Sequence, residues 1–510
     1  MTTDRDFVTL DPSPEEFREL GHRVVETIAA HYEQIEEIPT LSDATPAEVA
    51  AVFDDPLPIA GADPREILDD WDERVYPYAA HQGSPRWFGY VNGSGTPMGV
   101  LADALAASVN MNVGAWVLSP SATEVERQCI EWLAEMIGYP TECGGVLTSG
   151  GTMANQAAIY AALQAATGFE LRQTGFANRD DVEQFTLYES AHEGHSSITR
   201  VAEVLGVGRE AIREVPADEE YRMDPEALDT MIEADSEDGY TPFAVVAQVG
   251  SINVSAIDPL DDIADVCEGH DVWMHADGAC GAVGAILPEK EHRYEGLVRA
   301  DSVTLDPHKW LSVPYGCGCV LFRDELVQAR TFSMQASYLD VSEKEVYHGT
   351  NYGFLGPEMS RPFRALKLWM NLKHRGVEGY RTLLSQGCRN AEHLHERVRR
   401  EPDLEAVQEP NLFIYSFRYV PADLQQRAEG NSESTVDDEY VDWLNQRIAD
   451  DLRFTGLAYV TTTTVRDHVV LRFSICSHRT TPDDVDVTVD AILEHGERID
   501  AEGRDEFIDE

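Results

Sequence analysis

Short apolar runs alternate with helical stretches from about residue 95 to residue 385, and this alternation limits the fold more than any other feature of the chain. Gly145–Thr148, Phe185–Tyr188, Phe243–Val249, Val272–His275, Ser302–Leu305 and Gly318–Phe322 read as strands. Helical stretches such as Thr152–Thr167 and Pro259–Cys267 fall between them, and another begins at Phe363–His374. The pattern predicts an α/β unit on a mostly parallel sheet. Ligands of such sheets sit at the carboxyl ends of strands. The chain then divides into a helical segment over 1–85, the large α/β unit over 86–385 and a small α+β unit over 386–510.

In the first segment, Ser13 precedes Pro14, Glu15 and Glu16, a capping signature. Val24, Val25, Ile28, Ile35 and Ile38 follow at near-helical spacing. A polar linker over Leu41–Pro64 leads to a helical stretch through Ile67 and Trp71. This segment is too thin to fold alone and is expected to pack on something larger. The last unit reads as strands at Leu412–Phe417, Leu457–Thr463 and His468–Ile475, with helices at Val436–Leu452 and Pro482–His495. Glu429–Thr435 is expected to be an exposed loop and Glu502–Glu510 to fray. No internal repeat is visible.

Charge narrows the function. The 510 residues include 39 Lys and Arg against 92 Asp and Glu, a formal net charge of −53. Phosphate backbones are bound through clustered Lys and Arg, so nucleic acid is not an expected partner. An anionic membrane surface would repel the chain, and no apolar run of transmembrane length occurs. No signal peptide is visible, and the expected location is cytoplasmic. Five lysines occur in all: Lys290, Lys309, Lys344, Lys367 and Lys373. Few lysines with a large acid excess suit a salt-saturated cytoplasm such as that of haloarchaea, because at ~1 M salt the Debye length is only ~3 Å. The eight cysteines form no C-x-x-C pair and read as reduced thiols.

Four segments carry candidate chemistry. In Ser302-Val-Thr-Leu-Asp-Pro-His-Lys-Trp310 a strand ends at a proline and Lys309 follows at once. Desolvation there would lower its pKa and leave some amine neutral for attack on an aldehyde, unless Lys309 is a surface loop residue. Val272-Trp-Met-His-Ala-Asp-Gly-Ala279 ends a buried strand in an acid that could hold a proton on a heterocyclic nitrogen, cap a helix or bind a metal. Gly145-Val-Leu-Thr-Ser-Gly-Gly-Thr-Met-Ala-Asn155 runs from a strand into a helix start whose free N–H groups could cradle a phosphate. It is neither a P-loop nor G-x-G-x-x-G. Tyr188-Glu-Ser-Ala-His-Glu-Gly-His-Ser-Ser-Ile198 offers two histidines, for metal binding, catalysis, stacking or mere solvation.

In this order the four segments resemble the group II pyridoxal-phosphate-dependent amino-acid decarboxylases, which include the aromatic L-amino-acid, glutamate and diaminobutyrate enzymes. Ser84-Pro-Arg-Trp-Phe-Gly-Tyr90, Trp116-Val-Leu-Ser-Pro-Ser-Ala-Thr-Glu124, Arg361-Pro-Phe-Arg-Ala-Leu-Lys-Leu-Trp369 and Val470-Leu-Arg-Phe473 extend the likeness from about Phe17 to Ala491. The resemblance implies a fold-type-I enzyme, a pyridoxal 5'-phosphate cofactor and a homodimer with active sites at the subunit interface. Lys309 would hold the cofactor as a Schiff base, and Asp277 would pair with its ring nitrogen. Ala279 would pack under the ring and His195 would stack on the other face, with His192 as runner-up. Gly150, Gly151, Thr152 and His308 would hold the phosphate. Tyr352 would be the tyrosine of a mobile catalytic loop, a proton donor, with Tyr347 and Phe354 close by. No metal is implied.

The chain departs from the animal aromatic enzymes in places. Asp306 replaces Asn, Ile252 stands where a hydroxyl is common, and Val91-Asn92-Gly93 replaces an aromatic–Pro–Thr run. Asn112 and Gly114 replace bulky apolar residues, which implies a roomier, more polar pocket. The resemblance implies decarboxylation of an L-amino acid, with an aromatic one the first expectation. Glutamate, aspartate or diaminobutyrate decarboxylation, a carbon–carbon lyase, an aldehyde synthase and a scaffold without cofactor are the rivals.

Overall fold

The computed structural model describes residues 11–176, 184–191, 193–333, 349–428 and 435–509, and the side chains of 426–437 and 505–510 lie outside it. Seven strands form the larger sheet: β1 (Gly144–Thr148), β2 (Phe185–Ser190), β3 (Ile212–Val215), β4 (Thr241–Gln248), β5 (Trp273–Asp277), β6 (Ser302–Leu305) and β7 (Gly318–Phe322). Their order is β1-β7-β6-β5-β4-β2-β3. The pairs β6–β5, β5–β4, β4–β2 and β2–β3 are parallel, and β7 runs antiparallel to both neighbours. This is the mainly parallel α/β sheet of a fold-type-I enzyme.

The sequence reading missed β3, whose short Ile-Arg-Glu-Val run is half-exposed at the sheet edge. Strands β1, β2, β6 and β7 are buried along their whole length, β1 included although it ends the sheet. Strands covered on both faces show as short apolar-rich runs, and six of the seven were read from the sequence. Helix Gly151–Ala166 crosses β1, β4, β5, β6 and β7. Its alanines at 154, 157, 158, 161 and 162 are fully buried and let it approach the sheet closely. Each fully buried Leu or Val in this core, such as Leu147, Val245 and Leu305, stabilises by roughly 1.5–3 kcal/mol.

A second, four-stranded antiparallel sheet comprises β8 (Leu404–Ala406), β9 (Ile414–Tyr419), β10 (Thr461–Val465) and β11 (His468–Ser474), in the order β10-β11-β9-β8. Its core holds Phe88, Tyr415, Phe417, Leu444, Ile448, Phe473 and Ile492. Helix Ala365–Val398 reaches both cores and turns at Gly376, whose φ of 65° suits glycine. It runs through position 385, where the sequence reading divides two units. The terminal helix spans Pro482–Asp509, so Glu502–Asp509 continue it rather than fray. Residues 429–434 of the expected loop lie outside the described residues.

At the N-terminus, helix Pro14–Gln34 begins with the expected capping box between Ser13 and Glu16. The supposed linker holds a helix, Pro46–Val52, capped by Thr45 and Glu48. Its Pro-Ala-Glu start after Thr is itself a capping signal. Helix Pro14–Gln34 has no buried residue, and Phe17, Val24 and Val25 are exposed within it.

Candidate active site

A cavity of about 440 Å³ opens beside the ends of β1, β4, β5 and β6, within the size range of small-molecule sites. It gathers Gly150, Gly151, Thr152, His195, Asp277, Ala279, His308 and Lys309. All four sequence segments therefore meet at one place. Asp277 is the last residue of β5, and Lys309 follows β6 by four residues. Parallel neighbours bring both to the same sheet edge.

Lys309 is largely buried, and its Nζ lies 3.3 Å from Asp306 Oδ2 and 3.5 Å from Cys280 Sγ. Burial alone would lower its pKa, but the opposing effects of Cys280, Asp306 and Asp277 outweigh it and push the ammonium pKa up. This corrects the expectation of a lowered pKa. Asp277 accepts the backbone N–H of Ala279 through Oδ1 at 3.2 Å and the side-chain N–H of Asn155 through Oδ2 at 2.7 Å. His195 caps helix Ser196–Leu205, and Ser197 N–H donates to its Nδ1 at 3.2 Å. Burial lowers the pKa of His195, offset in part by Asp277. His192 lies outside the described residues.

The phosphate-cradle segment forms as read, with Gly150 immediately before helix Gly151–Ala166. A Cβ added at Gly150 would lie 3.1 Å from the His308 ring, and one at Gly151 only 2.6 Å from Asp306 Oδ2. Bare backbone is therefore what fits there. Gly151 N–H donates to Asp306 Oδ2 at 2.9 Å, whereas buried Asp306 Oδ1 has no partner. His308 Nδ1 faces the carbonyl of Cys317 at 2.9 Å and must donate to it. Burial lowers the pKa of His308, offset in part by Asp306, whose Oδ2 lies 3.9 Å from Nε2. A buried amine, a carboxylate and a glycine turn at a helix start around one cavity fit a phosphorylated aldehyde with a ring nitrogen, while Asp306 holds the Gly151 N–H.

Tyr352 is not among the residues lining this cavity. It is 3% exposed, with its ring 5.2 Å from the Arg361 guanidinium, and burial drives its pKa up. Arg361 itself forms a fully buried ion pair with Glu126. Tyr347 lies outside the described residues. The polar substitutions near the pocket also serve local ends. Asn92 accepts from the hydroxyl of Tyr315. Asn112 Oδ1 accepts the backbone N–H groups of Gly114 and Arg361, both at 3.0 Å. The expected polarity of Asn112 is thus spent on a turn.

Sequence reasoning missed Asn155, buried at the cavity wall, and Arg472 on β11. Arg472 is 6% exposed and has no carboxylate partner among the described residues. Its Nη1 donates to Ile252 O at 3.1 Å, and its buried Nε has no partner. Arg472 lies close enough to act on His195 and Cys280. Its place in Val470-Leu-Arg-Phe473, one of the segments that carry the resemblance, was the available signal for it.

Comparisons with known proteins agree with this geometry. A family model described as the pyridoxal-dependent decarboxylase conserved domain matches residues 46–420. An aromatic-L-amino-acid decarboxylase of Bacillus atrophaeus is 34% identical, over 93% of this chain and 94% of that protein. A phenylacetaldehyde synthase of Petunia hybrida is 27% identical over 94% of each. The crystal structure of Oryza sativa TDC with PLP and tryptamine superposes with a TM-score of 0.87 at 26% identity, covering 96% of this chain and all of that one. The chain belongs to the pyridoxal-dependent decarboxylase family and is a pyridoxal-phosphate-dependent amino-acid carboxy-lyase.

Proposed function

We propose that the enzyme decarboxylates an aromatic L-amino acid to its amine and carbon dioxide. The observation that carries the reading is the convergence of Lys309, Asp277, His195 and the Gly150–Thr152 cradle on one cavity. The name of the Bacillus relative supports the substrate class. In this reading Lys309 Nζ holds the cofactor covalently and Asp277 keeps a proton on its ring nitrogen. Ala279 and His195 enclose the ring, while Gly150, Gly151, Thr152 and His308 hold the phosphate. Bound pyridoxal phosphate supplies the sink for the electron pair of the breaking Cα–carboxylate bond. The buried guanidinium of Arg472, which stands behind the cavity lining close to His195 and Cys280, is the proposed receiver of the substrate carboxylate, as its charge and an unspent N–H suit it to be.

The active unit is a homodimer. Helix Pro14–Gln34 buries none of its residues, and Leu101, Leu105 and Val109 are also exposed. An apolar surface of this kind suits an obligate interface. The division at 1–85, 86–385 and 386–510 assigns the first part to dimer contacts. A salt-rich cytoplasm is the proposed setting.

The test is a panel of L-amino acids assayed at molar salt for carbon dioxide, amine and aldehyde. Turnover confined to aromatic substrates with amine as product supports the reading, and preference for glutamate or aspartate refutes it. Aldehyde in place of amine favours the second reading, an aldehyde synthase, raised by the Petunia relative.

A further inference from the structure

Asn155 lies one turn into helix Gly151–Ala166, 1% exposed, and both ends of its amide are engaged. Nδ2 donates to Asp277 Oδ2 at 2.7 Å and to Ser197 Oγ at 3.0 Å. Oδ1 faces His275 Nε2 at 3.2 Å. An amide oxygen can only accept, so His275 carries a proton on Nε2. Its Nδ1 then accepts the hydroxyl of Ser302 at 2.8 Å, and Ser302 Oγ accepts the indole N–H of Trp273 at 2.9 Å. The fully buried His275 ring is thereby locked from both sides.

The other branch reaches His195. Ser197 Oγ accepts the Asn155 side-chain N–H, so its own hydroxyl hydrogen is available to His195 Nδ1, 2.7 Å away. The backbone N–H of Ser197 points at the same nitrogen. Nδ1 is thus an acceptor, and the ring proton of neutral His195 sits on Nε2. One amide spans two groups that come from different strands and different loops.

We propose that Asn155 is a positioning residue for the cofactor: its amide orients the Asp277 carboxylate and, through Ser197, fixes the ring proton of His195 on Nε2. The proposal rests on the roles given above to Asp277 and His195. Two competing arrangements are what it prevents. Without the amide, Asp277 Oδ2 could turn away from the ring nitrogen. Without the Ser197 link, His195 could carry its proton on Nδ1 and present a lone pair to the cavity.

The test uses full-length apo-protein at molar salt, titrated with pyridoxal phosphate and followed by absorbance. Asn155→Ala, Asn155→Asp, Asp277→Ala and the double variant Asn155→Ala/Asp277→Ala are compared with wild type, with apo-protein melting curves as the control for folding. Asn155→Asp keeps the shape but faces Asp277 with an acceptor, so it serves if the alanine variant folds poorly. Both Asn155 variants are expected to bind cofactor about 10- to 100-fold more weakly. The double variant should bind no worse than Asp277→Ala alone, a coupling that a merely structural role would not produce. Additive losses, or wild-type affinity in Asn155→Asp, overturn the role of Asn155 and leave the site reading standing. Wild-type affinity in Asp277→Ala overturns the site reading itself.

Discussion

Asp306 Oδ2 lies 3.3 Å from Lys309 Nζ. The same oxygen accepts the Gly151 N–H at the head of the proposed phosphate cradle. One carboxylate therefore serves the amine and also occupies an N–H meant for an anion. Asp306→Asn keeps an acceptor for Gly151 and removes the charge. It should bind pyridoxal phosphate tighter by roughly tenfold and leave the affinity for pyridoxal, which lacks the phosphate, nearly unchanged. Equal gains for the two compounds would show that the effect comes through Lys309 instead.

Lys309→Ala should abolish the Schiff-base absorbance and lower turnover by several orders of magnitude. Lys367, whose side chain is even less exposed than that of Lys309, is paired with Asp103 and the carbonyl of Tyr315 and does not line the cavity. A retained Schiff-base band in the variant would mean that some other amine carries the cofactor.

The proton donor is open to a three-way comparison. Tyr352 is buried against Arg361 and does not line the cavity, whereas Tyr338 and Tyr347 precede it in the sequence and lie outside the described residues. Phenylalanine at each position isolates one hydroxyl. The Tyr352 variant should keep amine as its product, and the donor should be the position whose loss raises aldehyde relative to amine. Aldehyde from the Tyr352 variant alone would make that residue the donor.

Stability should depend on pH through Glu193. Burial and repulsion from Asp258 raise its pKa from 4.5 to about 7, despite hydrogen bonds from Ser251 and Asn253. The folded chain binds more protons than the unfolded chain between these values, so stability falls as pH rises through that window and stays lower above it. Glu193→Gln keeps an oxygen for Asn253 and cannot ionise. Melting curves of variant and wild type should coincide near pH 4.5 and separate towards neutrality, the variant being more stable by up to about 3 kcal/mol. A difference that does not change with pH would assign the effect to packing.

Salt should be required for the fold. Arg299 alone faces Asp261, Asp265 and Glu268, each within 3.0 Å, so the cations are already shared among acids. With a net charge of −53, lowering salt to ~0.15 M lengthens the Debye length to ~8 Å and couples neighbouring carboxylates. Folding is stabilised by only about 5–15 kcal/mol, so many small repulsions suffice to undo it. Melting temperature and activity should rise together across a potassium chloride series. A flat response would remove the halophilic reading.

The buried parts were the legible ones. Strands β1, β6 and β7 are buried throughout and were read within a residue of their ends, whereas half-exposed edge strand β3 was not seen. Lys309, Asp277 and the Gly150–Thr152 turn stood out because chemistry dictates residue type at a strand end. Asn155 and Arg472 did not, since an asparagine inside a helix and an arginine in a strand have many ordinary uses. Tyr352 was chosen by spacing from Arg361, and spacing along a loop does not fix which side chain reaches a cavity.

Gly114 has a last consequence. A Cβ there would stand 2.1 Å from the Met359 carbonyl, and Asn112 ties the same turn to Arg361. The bulky pair found in the animal enzymes cannot be restored one residue at a time. An aromatic side chain at 114 strikes Met359, and losing Asn112 frees the turn while gaining no contact. The two positions and the backbone near 359 form an epistatic unit, so directed evolution by single steps should find this turn closed to change, and recombination of whole segments should open it.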